Sequence, residues 1–141
     1  MVEVVCFRIT GKDPKRMMQD VRKVDSELIV QAVKDTGITN EFYYKMIAFQ
    51  TLRAMATENL IAKKPEIDLL LRLAGTTQIA QALAKSGARE SKAFILVVAG
   101  KNKVVESLTV KRTWTRLARL PLSEKELASI EEAALLNARR G

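Results

Sequence analysis

Residues Ala93 to Ala99 form an unbroken apolar run, Ala-Phe-Ile-Leu-Val-Val-Ala, preceded by Lys92 and closed by Gly100. It is the longest apolar stretch in the chain, and a bilayer span needs about 20 residues. A short, continuous run rich in β-branched side chains, bounded by charge and glycine, reads as a central strand. Such a strand needs cover on both faces, which commits the chain to a sheet packed against helices.

The flanking patterns supply the rest of the sheet and its cover. Val2 to Ile9 is rich in β-branched and aromatic residues and reads as a strand. Gly11-Lys12-Asp13-Pro14 is turn chemistry, with Asp13 able to cap a helix and Pro14 at its first position. That helix is predicted to run to about Val24 on a stripe of Met17, Met18, Val21 and Val24. Leu28 to Val33 reads as a second strand. Asn40 is a cap for a long helix from Glu41 to about Leu60. Phe42, Tyr43, Met46, Ile47, Phe49, Leu52 and Met55 make that helix apolar on most sides, so a central buried helix is expected. Lys63-Lys64-Pro65 breaks it. Glu66 to Ala74 reads as a helix with Ile67, Leu70, Leu71 and Ala74 inward, stopped by Gly75. Thr76 or Thr77 can cap a further helix to Lys85, with Gly87 ending it. Val104 to Val110 is either the return arm of a hairpin or a helix. Ser123-Glu124-Lys125-Glu126 fits a capping box opening a last helix to about Arg139. The expected product is a mixed α/β (α+β) fold, one domain over residues 1–141, with a small sheet of about four strands covered by helices. There is no internal repeat and no low-complexity segment.

Composition narrows the function. Lys and Arg number 24 against 16 acids, a formal charge of +8. That balance favours an acidic partner such as nucleic acid, an anionic membrane or an acidic protein face. Cys6 is the only cysteine, so an internal disulfide is excluded, and its apolar neighbours predict a small buried hydrophobe. Glu3 and Arg8 interrupt any signal-peptide core, and a cytoplasmic location is expected.

The chain holds no histidine. Ser-His and Cys-His mechanisms are thereby removed, together with the commonest general base and the commonest neutral metal ligand. A zinc site is not expected, nor any cofactor, and no phosphate-cradling glycine loop is present. Glu124, Glu126, Glu131 and Glu132 read as a solvated helix face, and Asp68 with Arg72 as an i,i+4 ion pair. No catalytic residue is nominated.

Three surfaces remain as candidates. Lys63, Lys64 and Arg72 flank Gly75-Thr76-Thr77-Gln78, where a helix start exposes backbone N–H groups that suit a phosphate. Read as a helix, Lys111 to Arg119 would align Arg112, Arg116 and Arg119 on one face, with Val110, Trp114 and Leu117 on another. The last helix carries Leu127, Ile130, Ala133, Ala134, Leu135 and Leu136 over a broad arc, which either docks on the chain's own core or leaves part of itself for a partner helix.

The stretch Glu66 to Leu83, with Leu73-Ala74-Gly75-Thr76-Thr77-Gln78-Ile79 at its centre and Gly87 after it, resembles the signature of the kinase-binding subunit of the KEOPS complex (the PRPK-binding, TPRKB-like family). Ala93 to Ala99 fits that family's following strand, Val30 to Val33 its upstream half, and Glu131 to Leu136 its C-terminal helix. Thr77 stands where the family often has arginine, and 17–26 and 104–122 match no family pattern. The resemblance implies a non-catalytic accessory subunit that binds and regulates the small atypical KEOPS kinase. It also implies a role with tRNA in threonylcarbamoyladenosine formation beside the anticodon, and archaeal members hold the single-stranded 3′ end. Carried over, the tRNA residues are Lys63, Lys64, Arg72, Gly75, Thr76, Thr77, Gln78 and Ile79, with the Thr76 to Gln78 amides on phosphate. The kinase residues are Leu127, Ile130, Ala134 and Leu135. A basic RNA-binding protein unrelated to KEOPS is the alternative, and an enzyme lacking histidine chemistry a more distant one.

Overall fold

The computed structural model describes residues 1–88, 92–111 and 114–139, with residues 110, 111 and 139 described by backbone alone. The elements run β1 (Val2–Thr10), α1 (Pro14–Arg22), β2 (Ile29–Lys34), α2 (Glu41–Ala56), α3 (Pro65–Ala74), α4 (Ile79–Ser86), β3 (Ala93–Lys101), α5 (Asn102–Lys111), β4 (Thr115–Arg116) and α6 (Glu124–Arg139). The architecture is mixed α/β, with one antiparallel sheet ordered β2-β3-β1-β4.

The apolar run takes the interior position that its composition demands. β3 pairs with β1 from Val2↔Lys101 to Thr10↔Ala93 and with β2 from Ile29↔Ala99 to Lys34↔Phe94. Residues Phe94 to Ala99 are at most 2% exposed. Alternation splits them between two cores. Ile95, Val97 and Ala99 join Val4, Cys6, Tyr43, Ile47, Leu70, Leu71 and Ala133 on the side covered by α2, α3, α4 and α6. Phe94, Leu96 and Val98 join Val5, Phe7, Met17, Val21, Val105 and Leu108 beneath α1 and α5. Each fully buried Phe, Leu, Ile or Val contributes roughly 1.5–3 kcal/mol, so this strand anchors both layers.

Local signals set the helix ends. The Asn40 side chain accepts the Phe42 N–H at 3.1 Å. The Ser123 hydroxyl accepts the Glu126 N–H at 3.1 Å while the Glu126 carboxylate accepts the Ser123 N–H at 2.9 Å, a complete capping box. Gly75 closes α3 with φ of 70°, the left-handed conformation that glycine enters without a Cβ penalty.

Three expectations change. The long helix ends at Ala56 and buries one side only: Tyr43, Tyr44, Ile47, Ala48, Thr51 and Ala54 are buried, while Phe42 and Met46 are exposed. The first helix stops at Arg22, leaving Val24 exposed. Lys111 to Arg119 is not one helix. α5 ends at Lys111, and Thr115 and Arg116 pair with β1 through Phe7↔Arg116 and Arg8↔Thr115. Val104 to Val110 is resolved as helix. Arg112 lies outside the described residues.

A buried carboxylate holds Arg116 and Arg119 of that segment. Glu41, fully buried at the start of α2, accepts the Cys6 N–H at 2.9 Å, Arg116 Nε at 3.1 Å and Nη2 at 3.0 Å, and Arg119 Nε at 2.6 Å. The hydrogen bond to Glu41 pushes the Arg116 guanidinium further up, against the opposing effect of its partial burial. A buried acid survives only when paired and hydrogen-bonded in this way. Arg116 and Arg119 therefore tie the segment after α5 to α2 and β1.

Candidate nucleic-acid and protein interfaces

The turn between α3 and α4 forms as its residues dictate, but its amides are distributed differently from the expectation. The Gly75 N–H donates to Leu71 O at 2.9 Å and the Thr76 N–H to the same carbonyl at 3.2 Å, satisfying the carbonyls that end α3. The Gln78 N–H donates to the Thr76 hydroxyl oxygen at 3.1 Å, and that hydroxyl donates to Gln81 Oε1 at 2.9 Å. Two of the three amides assigned to phosphate, those of Thr76 and Gln78, are thus used within the turn. Gln78, not a threonine, is the cap residue of α4. The first bond inside α4 runs from the Ala82 N–H to Gln78 O at 3.0 Å. The N–H groups of Ile79, Ala80 and Gln81 precede it, at the positive end of the helix dipole. Ile79 itself is 49% exposed and Gln78 is exposed beside it. On the other side, a Cβ at Gly75 would meet the Glu132 carboxylate at 3.3 Å, so α6 sets an acid against the turn.

Arg72 is a correction. It was assigned to the nucleic-acid face, yet it is 3% exposed. Its Nε donates to Asp68 Oδ1 at 2.6 Å, its Nη2 to Asn137 Oδ1 at 2.8 Å and its Nη1 to Ala133 O at 3.2 Å. Asp68 also accepts the Thr51 hydroxyl at 2.6 Å and the Ile61 N–H at 2.9 Å. The i,i+4 pair read from the sequence is present, and it pins α2, the loop before α3, α3 itself and α6 together.

Lys63 and Lys64 are exposed, but they sit at the start of α3 while Gly75 sits at its end. Ten residues of helix separate them, about 15 Å at 1.5 Å per residue. Lys64 instead lines a groove of about 650 Å³ with Lys15 and Met18 of α1, Ile67 of α3 and Leu83 of α4. The sequence reading missed Lys15 and Met18, because only the crossover from β1 to β2 brings α1 beside α3. The basic end and the open helix start are therefore two stations along the α3–α4 pair.

The last helix separates its apolar arc into two faces. Ala133 and Leu136 are buried, and Ile130 is half-buried against the main core with its carbonyl accepting Gln50 Nε2 at 3.0 Å. Ile130 thus belongs mainly to the inner face. Leu127 and Leu135 remain 43% and 57% exposed, with Ala134 also exposed. On α2, Phe42 and Met46 are 36% and 42% exposed, at i,i+4 spacing with Phe49 next along the same stripe. Arg119 stands over the Phe42 ring at 5.8 Å and Lys45 over the Phe49 ring at 5.5 Å. Between the two helices lies a groove of about 560 Å³ lined by Gln50, Arg53, Ala134 and Ala138. The signal for Phe42 and Met46 was in the sequence: a helix with apolar residues all round buries one side and must offer the other.

Among the described residues, no group of three or more His, Cys, Asp or Glu side chains could hold a metal ion, and no helix is long and apolar enough to cross a membrane. No protein-family model matches the chain, and no curated protein matches it.

Proposed function

We propose that this chain is a non-catalytic accessory subunit of a KEOPS-type assembly, acting in the cytoplasm by binding the small atypical kinase and helping to recruit tRNA. The observation that carries the reading is that α2 and α6, which pack together, leave Phe42 and Met46 of one and Leu127 and Leu135 of the other in water. Large apolar side chains gathered on one surface mark a protein-binding site more often than chance exposure. The resemblance of 66–83 to the kinase-binding family supports the choice of partner.

The tRNA part of the proposal follows the α3–α4 pair. A single-stranded 3′ end would lay phosphates near Lys64 and Lys15 and reach the amides of Ile79 to Gln81 at the opposite end. Exposed Ile79 offers an apolar platform for a base. Arg72 takes no part.

The test is co-purification of the chain with a KEOPS kinase at high salt. Leu135→Glu is expected to abolish the complex while leaving the thermal midpoint unchanged, because the side chain contacts water and not the core. A Leu135→Glu protein that still co-purifies places the kinase elsewhere. A wild-type chain that never binds the kinase ends the reading.

A further inference from the structure

A cleft of about 530 Å³ lies between the loop after β2, the starts of α2 and α6, and the end of α4. Neither the kinase face nor the α3–α4 nucleic-acid path uses it. Small-molecule sites typically enclose about 300–1,000 Å³.

Lys34, Lys85 and Lys125 line this cleft, and Glu126 is its one acidic lining residue. Glu126 accepts the Ser123 N–H at 2.9 Å in the capping box, which fixes its position but keeps its charge, so the lysines outnumber the acid in the lining. Lys34 Nζ donates to Ala84 O at 3.3 Å and Lys85 Nζ to Ala74 O at 3.0 Å. A carbonyl fixes an ammonium in place and takes one of its three donors, but leaves the charge unneutralised. The other partners in reach of the cleft are hydroxyls, those of Ser123 and Ser86 among them. The Asn40-capped start of α2 and the Ser123-capped start of α6 border the cleft, with Glu41 in the first turn of one and Glu124 and Glu126 in that of the other offsetting their dipoles, so the lysines carry the positive charge here. The apolar part of the lining is Ile38, Leu73, Leu120 and Pro121. Leu120 is 48% exposed, an apolar side chain left in water at the mouth of a cationic cleft.

We propose that this cleft is a binding site for a nucleoside di- or triphosphate, with its phosphates on Lys34, Lys85 and Lys125 and its base against the Leu73–Leu120 wall. The site stands apart from the kinase and tRNA reading. Nothing on the apolar wall distinguishes one base from another, so the site selects phosphate number over base identity.

Calorimetric titration of the whole chain tests it, with ADP, GDP, inorganic pyrophosphate and adenosine as probes. ADP and GDP are expected to bind comparably, pyrophosphate more weakly and adenosine not measurably. Lys34→Gln and Lys125→Gln together are expected to weaken ADP at least about tenfold, two lost charge-assisted contacts being worth more than that. Both side chains are exposed, so the variant keeps its thermal midpoint, and its tRNA affinity is unchanged because Lys63 and Lys64 lie elsewhere. No ADP binding at roughly 1 mM, or ADP binding that ignores the double substitution, overturns the site. So does a double variant that loses tRNA while ADP never binds, since the lysines then serve RNA.

Discussion

Arg72→Met would leave the Asp68 carboxylate in a dry interior with only the Thr51 hydroxyl and the Ile61 N–H beside it. Breaking a buried ion pair from one side costs about 3–5 kcal/mol. Urea unfolding should show that loss, and the folded fraction should bind tRNA as before. A small stability loss with lost tRNA binding would return this guanidinium to the surface. The spacing of Asp68 and Arg72 was legible because helix geometry alone sets it. Their burial was not, because it depends on α6 crossing over them, and Ala133 lies 61 residues from Arg72. Glu3 gives the pH dependence. Partial burial pushes its carboxyl up, but hydrogen bonds from Lys45 and the Val4 N–H, with the charges of Lys45 and Arg119, hold it below its ordinary 4.5. A folded value below the unfolded one stabilises the fold fully above pH 4.5, and that contribution fades as pH falls through the folded value. Water screens the pair, so the effect is modest. Glu3→Gln is expected to flatten the acid limb of a stability–pH curve, and an unaltered limb would show that the Lys45 pair adds nothing.

At the scale of elements, the signals that lie within a few residues of one another were readable. The seven-residue run became an interior strand of the sheet, Asn40 and the Ser123–Glu126 box opened their helices, and Gly75 closed α3. Elements held by distant partners were not readable. β4 has no strand pattern of its own and exists because β1 has a free edge, with the Leu117 N–H donating to Cys6 O at 2.9 Å. The helical spacing of Arg112, Arg116 and Arg119 was a coincidence of numbering, overridden at Arg116 and Arg119 by the buried Glu41. The outer stripe of α2 was likewise misjudged, since periodicity shows how much apolar surface a helix has and not how much its own chain can cover. Phe42→Asp with Met46→Asp measures that surplus. Substitutions at exposed sites of this kind usually change stability by less than about 0.5 kcal/mol. The double variant should therefore keep its unfolding midpoint and lose the kinase; a variant that fails to fold would make the stripe part of the core.

For the molecule as a whole, the proposed function divides labour between exposed apolar side chains on α2 and α6 and a cationic path along α3 and α4. The two should differ in their response to salt. Apolar docking tolerates it, whereas phosphate binding releases counterions and weakens with a slope near 0.9 per contact on duplex and about 0.7 on single strands. The candidate sites were legible in part: the net charge and the last helix were visible along the chain, while the Lys15–Lys64 groove and the three-lysine cleft are assembled by the fold from segments far apart. The most direct measurement is tRNA affinity across a salt series, with and without saturating kinase, for the wild-type chain and Lys64→Glu. Unchanged affinity in the presence of kinase, and a slope smaller by about 0.7 in the variant, is the predicted result. Competition between kinase and tRNA, or a slope that ignores Lys64, would contradict it.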